Sequence, residues 1–290
     1  MERISWSQVQ IYTQCPFKWK LNYIDKNRKF TDSIYTVYGK AVHEVLQHYL
    51  TVMYDKSGAA ADREDIIGLF EEKLSEEYRV QYKKNGDSHF SNAVELREFF
   101  EDGVNIINYL KKNRSRYFSR KNTHLAGCEV PIIVTPNKRY TNVVYQGYLD
   151  VVLYHEYSDT FTIIDIKTST KGWSKWAKKD EDKQFQLILY KKFFSETFNI
   201  PLEKINIEFF IVKRKLYESE DYVIPRIQQF VPASGKVKMN KATRALDEFI
   251  TKVFDRKGYA DVEHQATPDN PNNKCDWCAF YKTHLCPATF

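Results

Sequence analysis

Between Cys128 and Lys167 the chain drops the three-to-four-residue apolar spacing that precedes it and turns to short β-branched and aromatic runs. The runs are Cys128–Val134, Val143–Tyr154 and Thr160–Lys167, which read as neighbouring strands of one sheet. A sheet needs cover, and the flanking sequence supplies it. Upstream, Val42, Val45, Leu46, Tyr49, Leu50 and Met53 keep a helical period over about 38–54, and similar patterns cover about 63–84 and 92–118, with Asn85-Gly86-Asp87 as a turn between them. A short helix over 5–14, with Ser5 or Ser7 as N-cap, is expected to stop at Cys15-Pro16, because proline disfavours helix at the residue before it.

Downstream the pattern predicts a charged stretch over 168–182, a helix over about 183–198, strands at 205–212 and about 222–230, and a helix over about 237–256. The tail is turn-rich around Pro268, Pro271 and Asn272-Asn273. Helices first, a strand cluster in the middle and one strand-helix-strand return predict an α/β (α+β) fold, a central sheet wrapped by helices. No repeat of roughly 20–50 residues, low-complexity tract or Gly/Ser linker divides the chain, so one domain is expected. Its parts are a mainly helical 1–120, a sheet-bearing core at 121–232, and 233–290 with the last helix and a cysteine cluster.

Composition narrows the class. With 42% hydrophobic and 28% charged residues the chain can bury a sizeable core, which excludes a disordered protein. No run approaches the roughly 18 apolar residues of a membrane span, and the first residues lack a signal-peptide core, so a soluble, cytoplasmic protein with no membrane partner is expected. The net charge of +6 and the 15% aromatic share lean weakly toward an anionic, stackable partner.

Strand alternation puts Asp165 and Lys167 on one face of their strand and Ile164 and Ile166 on the other. Asp150 is read as ending the strand before, and Glu129 as opening the one before that. Three carboxylates at strand edges would offer hard oxygen ligands to magnesium or manganese, suited to phosphodiester hydrolysis. Lys167 could then orient or deprotonate a water, or stabilise developing charge. By itself an acid-x-lysine on a strand is more often a solvated surface pair. His43, on an early helix, could add an imidazole nitrogen, although a lone helix histidine is more often structural. Gln186 and Tyr190, four apart on the following helix, project from one face and could hold Lys167 or a phosphate, against the plainer reading of a satisfied buried tyrosine.

Five cysteines are an odd number for a disulfide framework, and Cys275, Cys278 and Cys286 crowd the end of the chain while Cys15 lies near its start. Four thiolates can hold zinc or an iron–sulfur cluster, and His284 keeps a mixed zinc site open. Cys128, in an apolar strand, reads as core. If Cys15 joins the trio, a loop-entropy estimate for the cross-link is on the order of 5 kcal/mol, so the metal would act as a structural clamp. Trp173, Lys175, Trp176, Lys178 and Lys179, directly after the lysine strand, suit a single nucleic-acid strand. A solvated loop with its tryptophan packed inward is the equal alternative.

The order His43, Glu129, Asp150, Asp165-x-Lys167, Gln186-x-x-x-Tyr190, bracketed by Cys15 and the C-terminal cysteines, resembles the RecB-like branch of the PD-(D/E)XK nucleases. It looks most like the iron–sulfur members, which include CRISPR-associated nucleases and the AddB nuclease domain. Shared elements run from Ser5-x-x-x-x-x-x-Tyr12-x-x-Cys15-Pro16 through Gly39-x-x-x-His43, Gly147-x-x-Asp150 and Ile164-Asp165-Ile-Lys167-Thr168 to the last cysteines. The resemblance implies a restriction-endonuclease-like mixed sheet with an N-terminal helical insertion and a cluster joining the termini. It implies a metal-dependent DNA exonuclease acting on single strands or DNA ends in recombination, repair or phage DNA processing, in a prokaryotic cell or phage-infected host. His43, Asp150, Asp165 and the Ile166 carbonyl would bind Mn2+ or Mg2+, Lys167 would assist the water, and Cys15, Cys275, Cys278 and Cys286 would carry a 4Fe-4S cluster. Glu129 rests on position alone. The alternatives are a nuclease trimming DNA beside a recombination or CRISPR integration partner, and a non-catalytic DNA-binding adaptor. Oligomeric state is not legible in the sequence.

Overall fold

The computed structural model describes residues 1–27, 33–217, 224–260, 275 and 278–286. Six strands, β1 (Glu2–Ile4), β2 (Thr123–Val134), β3 (Val143–His155), β4 (Thr160–Ser169), β5 (Ile205–Lys213) and β6 (Ile227–Phe230), form one mixed sheet. Nine helices accompany them among the described residues: α1 (Trp6–Gln14), α2 (Pro16–Tyr23), α3 (Ile34–Asp55), α4 (Gly58–Arg63), α5 (Ile66–Lys84), α6 (Ala93–Tyr117), α7 (Lys175–Lys179), α8 (Glu181–Phe198) and α9 (Lys236–Val253).

β3 is the organising strand. One of its edges pairs antiparallel with β2 from Tyr145 to His155. The other edge is shared: β1 takes Val143–Tyr145 in parallel, and β4 takes Val151–His155 antiparallel. Residues 146–150 lie between these two partners and belong to neither pairing. β4 continues in parallel with β5 through a crossover containing α8, and β5 pairs antiparallel with β6.

The sheet is buried on both faces. α1, α2, α8 and α9 share a core with Tyr145, Leu149, Ile163, Ile207, Phe209 and Ile211. α3, α5 and α6 cover the opposite face, against Val151, Leu153, Ile164, Ile166, Phe210 and Val212. The alternation of Ile163 and Ile164 between the two cores is the period of two that the sequence displays. Ser5 is the N-cap residue of α1 but makes no side-chain cap bond, whereas Asp65 accepts from Gly68 N at 2.9 Å and Asn92 from Glu95 N at 2.8 Å, each worth about 1 kcal/mol.

Several elements differ from the sequence reading. Pro16 does end α1, but it also opens α2 as a first-turn proline, with Cys15 serving as C-cap of one helix and N-cap of the next. β1 and α4 carry no pattern of their own. Helix α7 lies within the charged stretch, and β6 begins at Ile227. The expected turns at Pro268, Pro271 and Asn272-Asn273, and the first part of the 222–230 strand, lie outside the described residues. Among the described residues no helix is long and apolar enough to cross a membrane.

Candidate active site

The site forms where β3 and β4 part. Their pairing runs from His155–Thr160 to Val151–Ile164, and the next pair in register would be Asp150 with Asp165. Like charges directly opposite one another destabilise a ladder, and the ladder stops there. In its place the Asp150 side chain reaches across, its Oδ2 accepting from Ile166 N at 2.6 Å. The gap this leaves is lined by both carboxylates and Lys167.

Asp165 is buried, 3% exposed, and its Oδ2 has no hydrogen-bond partner among the described residues. Lys167 Nζ stands 2.7 Å from that oxygen, close enough for an ion pair but not aligned as a donor. Burial alone would push the Lys167 ammonium down, but the charges of Asp165 and Asp150 outweigh it and hold the lysine protonated above its ordinary range. Burial, reinforced by the charge of Asp165, pushes the Asp150 carboxyl up to about 8. Three negative groups are thus within electrostatic reach, since Glu129 also raises Asp150.

Glu129 and Asp150 both lie inside long strands, not at a strand start and a strand end as the sequence reading has it, because β2 and β3 run to 12 and 13 residues. Leu149 packs into one core and Val151 into the other, although alternation would put both on one face. Glu129 has φ of 50°, in the left-handed region. The pair is held by a residue the sequence reading passed over: Gln47 Nε2 donates to Glu129 Oε1 at 2.6 Å and to the Asp150 carbonyl at 3.0 Å. Its signal was its position four residues after His43 on α3, hence on the same helix face.

His43 brings its Nδ1 to 3.6 Å from Asp150 Oδ2. Burial, with the Lys167 charge, pushes the imidazole down to about 4, while the Ile166 carbonyl that it faces acts the other way. The ring is therefore neutral at pH 7. On the opposite face α8 brings in Gln186, whose Nε2 donates to Tyr190 Oη at 3.0 Å. Burial and the Asp165 charge push the Tyr190 phenol up to about 12. Gly147 is required beneath it, since a Cβ there would lie 2.5 Å from the tyrosine ring. Tyr145 Oη is also buried without a hydrogen-bond partner among the described residues.

Among the described residues no three His, Cys, Asp or Glu side chains stand ready as a metal-holding group. The donor chemistry nevertheless suits a hard divalent cation. The Asp165 and Asp150 carboxylates share the single Lys167 cation, and the histidine beside them is held neutral, so the group offers oxygen and nitrogen donors with less positive charge than negative.

The loop after β4 divides its aromatic residues between two environments. Trp173 packs on Phe209, with ring centroids 4.9 Å apart, and its backbone N–H donates to Gln228 Oε1 at 2.8 Å. Trp176 is 81% exposed, with Lys179 Nζ 5.5 Å from its ring. Lys175, Lys178 and Lys179 all belong to α7.

Cys15 Sγ accepts from Lys18 N at 3.3 Å. Burial pushes its thiol up, with Cys278 and Cys286 adding to the rise, but among the described residues the cysteines do not stand as a ready metal-holding group. Successive turns, Cys278 N to Cys275 O at 2.8 Å and Cys286 N to Thr283 O at 3.1 Å, wind the tail around Leu21 and Phe280. Cys128 is half-buried, its Sγ 4.0 Å from Thr51 Oγ1.

A family model described as the PD-(D/E)XK nuclease superfamily matches residues 3–287. Among curated proteins there is no match. Of solved structures, one from Eubacterium rectale described as a "putative exonuclease" aligns at 13% identity and a TM-score of 0.48, over 96% of this chain and 93% of that one.

Proposed function

From the premise that the chain belongs to the PD-(D/E)XK nuclease superfamily, we propose that it is a metal-dependent DNA exonuclease acting on single strands or DNA ends. The observation that carries this reading is the parting of β3 and β4 at the Asp150–Asp165 position, with Asp165 Oδ2 buried and unbonded beside Lys167. His43, Asp150, Asp165 and the Ile166 carbonyl would hold magnesium or manganese. The ion would supply charge stabilisation to the phosphoryl oxygens and help position the attacking water.

The chain's own residues have separable tasks in this reading. Asp150 holds the Ile166 backbone in place, and Gln47 fixes Glu129 against the Asp150 carbonyl. Without a metal the charges of Asp165 and Asp150 hold Lys167 protonated, the form that orients the water or stabilises phosphate charge. Tyr190 and Gln186 close the wall opposite His43 and leave a polar edge for the substrate phosphate. Cys15, Cys275, Cys278 and Cys286 would hold a 4Fe-4S cluster, or zinc, clamping α2 to the tail. The effect of both Cys278 and Cys286 on the Cys15 thiol supports that assignment. We place the whole chain in one domain with the boundaries expected from sequence, working in recombination, repair or phage DNA processing.

The test is degradation of 5′- and 3′-labelled single- and double-stranded DNA in manganese by anaerobically purified protein, with Lys167→Ala alongside. Cleavage by the wild type and its loss in the variant is the expected result. A folded, metal-loaded wild type that cleaves none of these substrates overturns the reading in favour of a DNA-binding adaptor.

A further inference from the structure

Helix α3 crosses the sheet on a diagonal. Gly39 lies against Thr168, where a Cβ would come 3.1 Å from Thr168 Oγ1. Further along, His43 stands at Asp150, Gln47 holds Glu129 and Thr51 reaches Cys128. That line leaves one corner of the sheet beyond the reach of α3, the part of β2 after Glu129 and the part of β3 ahead of Asp150. Ile132, Tyr145 and Leu149 pack into the core beneath α8, so alternation turns Pro131, Ile133, Gln146 and Tyr148 to the α3 side. There they meet solvent: Tyr148 is 46% and Ile133 56% exposed, the two large apolar side chains of the strands left exposed among the described residues.

Register makes them neighbours. Pro131 pairs with Tyr148 and Ile133 with Gln146, so Ile133 and Tyr148 are diagonal neighbours, within reach of an aromatic ring. Gln146 Nε2 donates to Tyr148 Oη at 2.6 Å, which tethers the far end of the ring. Apolar side chains scattered singly over a surface need no explanation. These two lie side by side with an exposed proline, and two residues along β3 put Tyr148 about 7 Å from Asp150.

We infer that Tyr148, bordered by Pro131 and Ile133, is a stacking platform for one base of the DNA strand whose phosphodiester lies at Asp150 and Asp165. The inference rests on the nuclease reading above and adds to it the side from which the strand is held. The occupant follows from continuity with the site. A strand with a phosphate at the fork of β3 and β4 carries its next nucleotide over an adjoining surface, and this corner offers that nucleotide a tethered ring with an apolar border. Stacking of this kind accepts every base, because each has a π-face, so the platform holds the strand without reading its sequence.

Tyr148→Ala is the test, read by the anisotropy of two fluorescein-labelled strands of equal length, oligo-dT and a chain of abasic deoxyribose phosphates. Both are bound to the full chain without added divalent metal. The strands carry the same charge, so the ratio of their affinities isolates the bases. Loss of one stacked base should cut that ratio by about 5- to 150-fold through weaker binding of oligo-dT alone. The log–log salt slope should stay unchanged, because no phosphate contact is lost. Tyr148→Phe keeps the ring and should keep the ratio. A wild type indifferent to the bases, or a Tyr148→Ala protein with an unchanged thermal midpoint and the wild-type ratio, overturns the platform. A loss shared equally by both strands overturns it too, since that marks a structural role. If a second copy of the chain covers the corner instead, the wild type sediments faster than the variant while the ratio is unchanged, which also overturns it. Manganese-dependent cleavage by the wild type separates the two readings: cleavage together with an unaltered ratio in the variant sinks the platform alone, and a wild type that neither binds nor cleaves DNA sinks both.

Discussion

Gly147→Ala tests the packing of the site wall without touching any charged group. Gly147 is buried in β3, paired with Ile132, and its φ lies outside the left-handed region, so alanine meets no backbone strain. The new methyl would stand 2.5 Å from Tyr190 Cε1, 2.9 Å from Oη and 3.0 Å from Cζ. These atoms belong to a ring held by the core around it, so the clash cannot be relieved by rotating a loose side-chain end. Overpacking of this kind costs about 1–3 kcal/mol, offset by about 0.4–1 kcal/mol from the less flexible unfolded chain. Urea unfolding should therefore show a net loss of up to about 2.6 kcal/mol, carried by the midpoint at unchanged slope. Tyr190→Leu removes the clashing atoms, and Gly147→Ala in that background should be neutral or slightly stabilising. An equal loss in both backgrounds would refute the argument, since the cost would then come from something other than the tyrosine ring.

Asp102→Ala removes the better-buried of the two carboxylates on Arg214 and leaves Glu98, so it should cost less than the roughly 3–5 kcal/mol of a fully broken buried pair in chemical denaturation, and Arg214→Met with Asp102→Leu should recover much of it; failure of the pair to recover would mean the network is needed for packing as well as charge. Half-buried His155, bonded to Thr162 Oγ1 at 2.9 Å, is held by burial below its ordinary 6.5. Its neutral form thus favours the fold above about pH 6.5, and that contribution is lost as pH falls through the depressed folded value. His155→Gln should flatten the acid slope of stability, and an unchanged slope would count against the assignment. If the cysteines clamp a metal, Cys15→Ser should release iron or zinc by elemental analysis and lower the thermal midpoint; full metal content with an unchanged midpoint would remove Cys15 from the site.

The strands and long helices were legible in the sequence because their burial is periodic, and Ile163 through Lys167 show it in five residues. What escaped was set by tertiary contact. β1 is three residues whose strand character comes entirely from the edge of β3, and α2 begins at the same proline that ends α1. The identity of Asp165 and Lys167 as facing neighbours follows from alternation alone. The position of Asp150 opposite Asp165 does not, because it depends on a register that no local pattern encodes. Gln47 was invisible as a site residue for a related reason: glutamine on a helix has many uses, and only the approach of Glu129 and the Asp150 carbonyl selects one. Trp173 and Trp176 look alike in sequence, three residues apart in a basic loop, yet Phe209 claims the first and leaves the second in solvent.

The pairing of β1 with β3 joins residues 2–4 to residues 143–145, and Trp6 Nε1 donates to the Asp182 carbonyl at 3.0 Å. On a ribosome the first two helices, which touch each other through Trp19 and Gln8, therefore emerge long before the sheet and α8 that cover them. Trp6, Trp19 and Leu21 wait in solvent while more than half the chain is made, as an apolar segment that chaperones can hold and neighbouring chains can capture. Contacts of such long sequence separation also slow the search for the native arrangement. Refolding from denaturant should show the helices over α3, α5 and α6 early and fluorescence of the N-terminal tryptophans late.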